Sequence, residues 1–271
     1  MRYSFDNDMH IHSHLSPCSG DPAQTPERIL EYGIREGLKL LVLTDHFWDG
    51  GVPLENNGWR NNDVKDNAKL LPLPQAAGIS FLYGAEADMS WDHRLGLRPE
   101  TFSNFDFVTI AVNHLHMKKF TAPDDLVTYD DYRNAYLTRV DNVFRSGIPL
   151  RRCGLAHLTS SLGFGYNPGH VEFYRTFEDA VWRSIFERAA EAGTGIELNF
   201  PVFSYTEKEL DEVILRPYRI ARECGCRFFF GSDAHHPDNF AGMRRAAERI
   251  IDLLELTEDD KYYLPDDPRL Q

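Results

Sequence analysis

Seven times along this chain a short apolar run of β-strand type gives way to a helical pattern, and that alternation leaves few folds open. The runs fall at roughly 8–12, 38–45, 79–86, 105–113, 153–157, 195–200 and 227–233. Several are continuously apolar, as befits parallel strands packed on both faces. Between the first two, Thr25-Pro26-Glu27 reads as an N-cap, a proline at the first helical position and a first-turn acid. Ile29, Leu30, Ile34 and Leu38 follow at helical spacing; Phe177, Val181, Ile185 and Ala189 form a second stripe, and Phe240, Met243, Ala247, Ile250 and Leu254 a third. Weaker helical patterns cover 130–147 and 206–224. The sum is a wound α/β fold with a parallel sheet, open or closed. Two long connections, 47–78 and 158–176, follow strand C-termini, where such folds carry working loops; each reads equally as a lid or as a surface insertion.

A length of 271 residues fits one barrel-sized domain, 1–271, without remainder. Asp and Glu outnumber Lys and Arg by 42 to 29, giving a net charge of −13, and no polybasic run stands out. That balance disfavours nucleic acid or an anionic membrane surface as partner. The N-terminus lacks a basic segment followed by an apolar run, and no uninterrupted apolar stretch is long enough to span a bilayer, so a cytoplasmic location is expected. Cys18, Cys153, Cys224 and Cys226 show no CxxC spacing and are read as reduced thiols, the last two inert and far from any strand C-terminus.

The polar residues concentrate where strands end. His10 and His12 lie on the first run, His46 follows the second, Glu86 ends the third, His114 follows the fourth, His157 ends the fifth, and Asp233 and His235 close the seventh. Side chains alternate across a strand, so His10 and His12 share a face and converge if that face is the barrel interior. Paired imidazoles held this way suit Zn, Fe or Mn, and a carboxylate such as Glu86 can bridge two cations. His93, His116, His170 and His236 read as loop histidines, with His116 the alternative to His114.

The segments Asp8-Met9-His10-Ile11-His12-Ser13, Leu43-Thr44-Asp45-His46, Gly84-Ala85-Glu86, Asn113-His114, Ala156-His157 and Gly231-Ser232-Asp233-Ala234-His235 resemble, in order and spacing, the motifs of the PHP (polymerase and histidinol phosphatase) family. The resemblance runs from about residue 6 to 245. It implies a distorted seven-stranded (β/α)7 TIM-like barrel with two or three divalent ions at its C-terminal face, and hydrolysis of a phosphate ester. Carried over position by position, His10, His12, Glu86 and Asp233 would hold one metal; Glu86 would bridge to a second on His114 and His157; and His46 and His235 would serve a third. The family commonly supplies a His or Asp to that third site where this chain has Cys18, which would ligate as a thiolate or leave the site weak, with His14 and Asp21 as nearby substitutes.

The activity so implied is that of a histidinol-phosphatase-like phosphomonoesterase acting on a small phosphate ester. Water bridging two metals is acidified towards neutrality, and the ions neutralise phosphoryl and leaving-group oxygens. His46, Asp233, His235 and Glu86 are the expected catalytic residues; Asp45 is placed as an orienting group, with His46, Asp45 and His235 the candidates for general acid. Lys118, Lys119, Arg175, Arg94 and Arg98 are candidates to meet the phosphate, and Asn199, in phase with Glu197, is a further candidate to line the pocket. The alternatives are an amidohydrolase-type amide or lactone hydrolase, for which no strand-end bridging Lys is evident, and a PHP module that binds metal without turnover.

Overall fold

A computed structural model describes residues 1–54 and 62–270. Seven parallel strands run in chain order around a nearly closed barrel: β1 (Asn7–Ile11), β2 (Leu40–Leu43), β3 (Ser80–Ala87), β4 (Phe107–Ile110), β5 (Cys153–Leu155), β6 (Gly195–Leu198) and β7 (Arg227–Phe230). β2 breaks at Thr44 and Asp45 and resumes as His46–Phe47 in unchanged register, Leu43 lying opposite Tyr83 and His46 opposite Glu86. The seam between β7 and β1 is bridged by Asn7, whose Oδ1 accepts the Phe230 N–H at 3.0 Å. Beyond the strand ends the Asp233 N–H donates to the His10 carbonyl (2.7 Å) and the His12 N–H to the Ala234 carbonyl (3.1 Å).

The strands are shorter than the apolar runs predict. In β4 to β7, paired residues stop at Ile110, Leu155, Leu198 and Phe230, while the predicted ends reach two or three residues further. The residues past those ends have left the ladder, which frees their side chains to turn inward over the barrel mouth.

The main helices are α1 (Pro26–Glu36), α2 (Tyr129–Phe144), α3 (Asp179–Ala192), α4 (Arg216–Glu223) and α5 (Met243–Leu253). Thr25 caps α1 by accepting the Arg28 N–H, and Gly37 ends it at φ 63°, a left-handed conformation that glycine enters without steric cost. Ile34 is 56% exposed, against the predicted stripe. The inward face is taken instead by Ile29, Leu30, Tyr32 and Gly33, the last pressed so close to Leu41 that a Cβ would sit 2.7 Å from its Cδ1. The 206–224 pattern is not one helix. It divides into a turn at Glu207–Glu209, a wide turn at Leu210–Ile214 and α4, whose first turn holds Pro217, a residue with no N–H to extend a preceding helix.

Two apolar layers carry the barrel. The outer one, between strands and helices, takes Leu41, Leu43, Ala85, Val108, Ile196 and Phe228 among others. The inner one is a plug of Met9, Leu40, Val42, Phe107 and Phe229, floored by Tyr262 and Leu264. Met9 joins it in phase with Asn7, which pairs with Leu40, and the break in pairing between Asp8 and Ile11 then sets Ile11 outward beside Leu43, so that His10 and His12 face the interior. Each fully buried large apolar side chain stabilises by about 1.5–3 kcal/mol. Above this plug, on the C-terminal side, the interior turns polar.

Of the connection 47–78, residues 55–61 lie outside the described residues. The connection 158–176 is no loose insertion: Phe164 stacks on Phe173 at 5.3 Å, and Phe173 meets the buried Phe177 edge-on. Among the described residues no helix is long and apolar enough to cross a membrane.

Candidate metal centre

The polar layer gathers the strand-end residues. His10 and His12 come from β1, His46 from the resumed β2, Glu86 from β3, His114 and His157 from just beyond β4 and β5, and Asp233 and His235 from beyond β7. His10, His12, His46, Glu86, His114 and His157 are buried, and Asp233 and His235 are partly so.

Four donor atoms, His10 Nε2, His12 Nε2, Glu86 Oε2 and Asp233 Oδ1, lie within 4.8 Å of one another. The two Nε2 atoms are 3.1 Å apart; Glu86 stands 3.5 and 3.4 Å from them, and Asp233 3.5 and 3.1 Å. Ligands at about 2.1 Å from a tetrahedral zinc stand about 3.4 Å from each other, so these separations fit one divalent ion. Each Nδ1 is already engaged, that of His10 with Glu197 Oε1 (2.7 Å) and that of His12 with Ser16 Oγ (2.9 Å), which leaves the Nε2 lone pairs for the ion.

A second group shares Glu86. Its Oε1 is 3.0 Å from His157 Nε2 and 3.6 Å from His114 Nε2, with the Nδ1 atoms again occupied, by Asn113 Oδ1 (2.9 Å) and Asp88 Oδ1 (2.5 Å). A third group brings Cys18, His12, His46 and His235 together. Cys18, not His14 or Asp21, reaches it. His14 Nδ1 lies 3.3 Å from the Gln24 carbonyl, and Asp21 pairs with His236 at 2.5 Å. Imidazole and carboxylate donors around a bridging Glu suit zinc or a similar divalent ion.

The electrostatics follow from burial set against neighbouring charge. Burial works against protonation of His10, but Glu197, Glu86 and Asp233 outweigh it and hold its pKa well above the ordinary imidazole value. The same contest, with Glu86 and Asp88 as the carboxylates, raises His46, and Glu86 raises His157. Burial wins at His114, whose pKa falls. Burial would raise the carboxyls of Glu86, Asp88 and Asp233, yet the surrounding imidazoles hold all three well below the usual range. Burial, reinforced by the charge of His114, drives His116 down to about 3.

Several supporting residues were missed by sequence reasoning. Asp88, buried two residues beyond Glu86 and therefore on the same strand face, stands 3.1 Å from His46 Nδ1 through its other oxygen. Asp8, opposite the outward Leu41, accepts the Tyr32 hydroxyl of α1 at 3.0 Å. Asp45, by contrast, is placed in the sequence as an orienting group, and it accepts both the N–H and the hydroxyl of Ser13 at 2.6 Å, which spends its oxygens on orienting the loop. His157 (φ 31°) and Asp233 (φ 53°) adopt left-handed backbone conformations costly for residues with a Cβ, a strain found where function needs a side chain aimed.

Cys18, His46, Glu86, His114, His116, Leu162, Tyr166, Asp233 and His235 line a cavity of about 100 Å3 over the centre. The connection 158–176 thus supplies part of its wall. None of the rim cations singled out in the sequence lines it. Lys118 donates to the Asp124 carbonyl, Lys119 pairs with Asp124, Arg94 with Asp92, Arg98 with Asp49, and Arg175 with Glu172 and Glu212. Asn199 lines a separate, largely apolar cavity beside Phe200, Phe230 and α5.

No model of a known protein family matches the chain. It is 26% identical over 251 residues to a Deinococcus radiodurans protein named "Probable histidinol-phosphatase", covering 85% of this chain and 86% of that one. Its fold is that of a histidinol phosphate phosphatase from Lactococcus lactis crystallised with zinc, L-histidinol and phosphate (TM-score 0.65, 16% identity, 93% of this chain and 95% of that one). A Listeria monocytogenes protein named for the same activity superimposes with TM-score 0.60 at 16% identity, over 89% of this chain and 99% of its own.

Proposed function

We propose that the chain is a PHP-type, metal-dependent phosphomonoesterase acting on a small phosphate ester of the histidinol phosphate kind. The observation that carries this reading is the convergence of overlapping donor groups, two of them sharing the buried Glu86, at the barrel mouth beneath one cavity. The relatives named above add support, since the Lactococcus lactis phosphatase of the same fold holds zinc and phosphate.

In this reading His10, His12, Glu86 and Asp233 hold one ion, Glu86, His114 and His157 a second, and Cys18, His46 and His235 a third. When bound, two or three zinc, iron or manganese ions supply charge against the phosphoryl oxygens and lower the pKa of water at the site. The chain's own residues do the rest. Ser13 and Asp45 fix the loop after β1, and Asn113 and Asp88 fix the rings of His157 and His114. His116 enters the cavity wall as a neutral imidazole, its pKa held near 3 by burial, and so offers a hydrogen bond rather than a charge. His235 Nδ1 contacts the Asp233 carbonyl at 2.7 Å, which leaves Nε2 for ligation or for a proton to the departing oxygen. Among the described residues no Arg or Lys lines the cavity, so the protein donors left to meet a phosphate there are the imidazoles and Tyr166. The net charge of −13 supports a small-molecule partner over nucleic acid or an anionic membrane surface.

Protein purified without chelator is expected to release inorganic phosphate from L-histidinol phosphate in preference to other small phosphomonoesters, and to lose this on chelation and in Glu86→Ala. A metal-loaded protein that cleaves amides or lactones but no phosphoester overturns the proposal.

A further inference from the structure

We infer that Glu197 is a positioning residue that locks two metal subsites into one unit. This rests on the metal-centre reading above. Glu197 is fully buried on β6, one strand away from the nearest proposed ligand. Its Oε1 meets His10 Nδ1 at 2.7 Å, and its Oε2 accepts the backbone N–H of His157 at 2.6 Å. The two residues it holds belong to different donor groups, His10 to the one with His12 and Asp233, His157 to the one with His114.

The chemistry of the two contacts requires a carboxylate. Both partners present an N–H, and an ionised carboxylate is acceptor-only, so it serves both at once. At His10 it fixes the Nδ1–H tautomer and so presents the Nε2 lone pair to the ion. At His157 it anchors a residue with φ of 31°, a conformation that persists only when its surroundings enforce it. An amide in place of the carboxylate has one acceptor and one NH2 group. If the NH2 faces His10, that ring takes the Nε2–H tautomer and puts a proton where the ion binds. If it faces His157, two donors oppose each other and the strained backbone loses its anchor.

Gly231 supplies independent evidence that the fold reserves space for this carboxylate. A Cβ there would lie 1.8 Å from Glu197 Oε1 and 2.6 Å from His10 Cβ, so only glycine lets the pair meet. Gly231→Ala therefore displaces the carboxylate without discharging it.

The test is zinc titration of the chelator-stripped full chain against a chromophoric competitor, with circular dichroism and thermal unfolding of the zinc-free protein alongside. In Glu197→Gln, the affinities of both of the tightest zinc ions are expected to fall about 10–100-fold, the usual cost of losing a group that orients a ligand. Asp88→Asn, which touches the His114 side only among these two subsites, is expected to weaken one of them. Gly231→Ala is expected to reproduce the Glu197→Gln pattern. A folded Glu197→Gln that is less stable without zinc yet keeps both affinities unchanged overturns the inference and makes Glu197 a structural residue. If that variant does not fold, Gly231→Ala decides by the same criterion. Wild-type protein that binds no zinc sinks the metal centre itself, an outcome distinct from a wild type that binds and a variant that is indifferent.

Discussion

Asp88 holds two imidazoles at once, its Oδ1 2.5 Å from His114 Nδ1 and its Oδ2 3.1 Å from His46 Nδ1. An asparagine can accept from only one of them, and its NH2 then opposes the other ring. Asp88→Asn is therefore expected to weaken zinc at the His114 subsite about 10–100-fold and to lower phosphate release with it. Competitor titration and a phosphate-release assay on the same preparation check this; unchanged affinity would leave Asp88 without a role in aiming the rings.

Away from the centre, Asp49 ties the chain after β2 to the segment after β3. It accepts from Arg98 Nε (2.8 Å) and Nη2 (3.0 Å), from the Gly51 N–H (2.8 Å) and from the Thr101 hydroxyl. Burial opposes its ionisation, but these donors outweigh it and bring its pKa down from 3.8 to about 2. The folded state thus binds fewer protons than the unfolded one between those values, so the stabilisation is complete above the unfolded pKa and is lost as pH falls towards 2. Asp49→Asn is expected to cost about 1–3 kcal/mol at pH 7, and the gap from wild type should narrow as pH drops below about 4. Urea unfolding at neutral and acid pH measures both; a gap constant with pH would contradict the ionised pairing.

The sequence exposes the barrel and its candidate ligands for the same physical reason: parallel strands packed on both faces leave apolar runs, and the clustered imidazoles and acids sit where those runs stop. His10, His12, Glu86, His157 and Asp233 are legible because an imidazole or acid at the end of an apolar run interrupts the pattern. Asp88 and Glu197 are harder to read. Glu197 lies inside an apolar run with no second ligand beside it, and its partners at 10 and 157 are distant in sequence. The signal that could have found both is phase, since Asp88 shares the face of Glu86, and Glu197 points inward between the outward Ile196 and Leu198. The rim cations failed to gather at the cavity because each found a nearby acceptor, such as Asp92 for Arg94 and Asp124 for Lys119. Ile34 misled because helical spacing does not reveal that Gly33 takes the close contact with β2.

Gly84, on β3, passes close against the backbone of the neighbouring strand. A Cβ there would stand 2.6 Å from the Phe107 carbonyl oxygen and 2.8 Å from Val42 Cγ1. The first is backbone of the paired strand and cannot move without breaking the ladder between β3 and β4. Gly84→Ala is expected to destabilise by about 1–3 kcal/mol or more, the range for overpacking a core. Because Glu86 lies on the same strand, zinc affinity should fall with stability. Thermal unfolding with and without zinc tests this, and a variant as stable as wild type would mean that β3 yields more readily than its contacts indicate.

Metal removal should register in stability as well as activity. Glu86 and Asp88 are buried and Asp233 partly so, and all three face imidazoles rather than Lys or Arg, so the centre gains most from a divalent ion. An ion that binds only the folded chain at about 100 times its Kd adds roughly 2.7 kcal/mol, or roughly 5–10 °C in midpoint for a protein near this size. Zinc should therefore raise the unfolding temperature of the stripped chain in a concentration-dependent way, and Glu86→Ala should blunt the rise. The carboxylates hold the pKa values of His10 and His46 well above the ordinary value despite burial, so zinc must displace protons there. The zinc increment is consequently expected to grow as pH rises from 6 to 8. A midpoint indifferent to zinc across that range would show that these side chains meet for some purpose other than holding a metal.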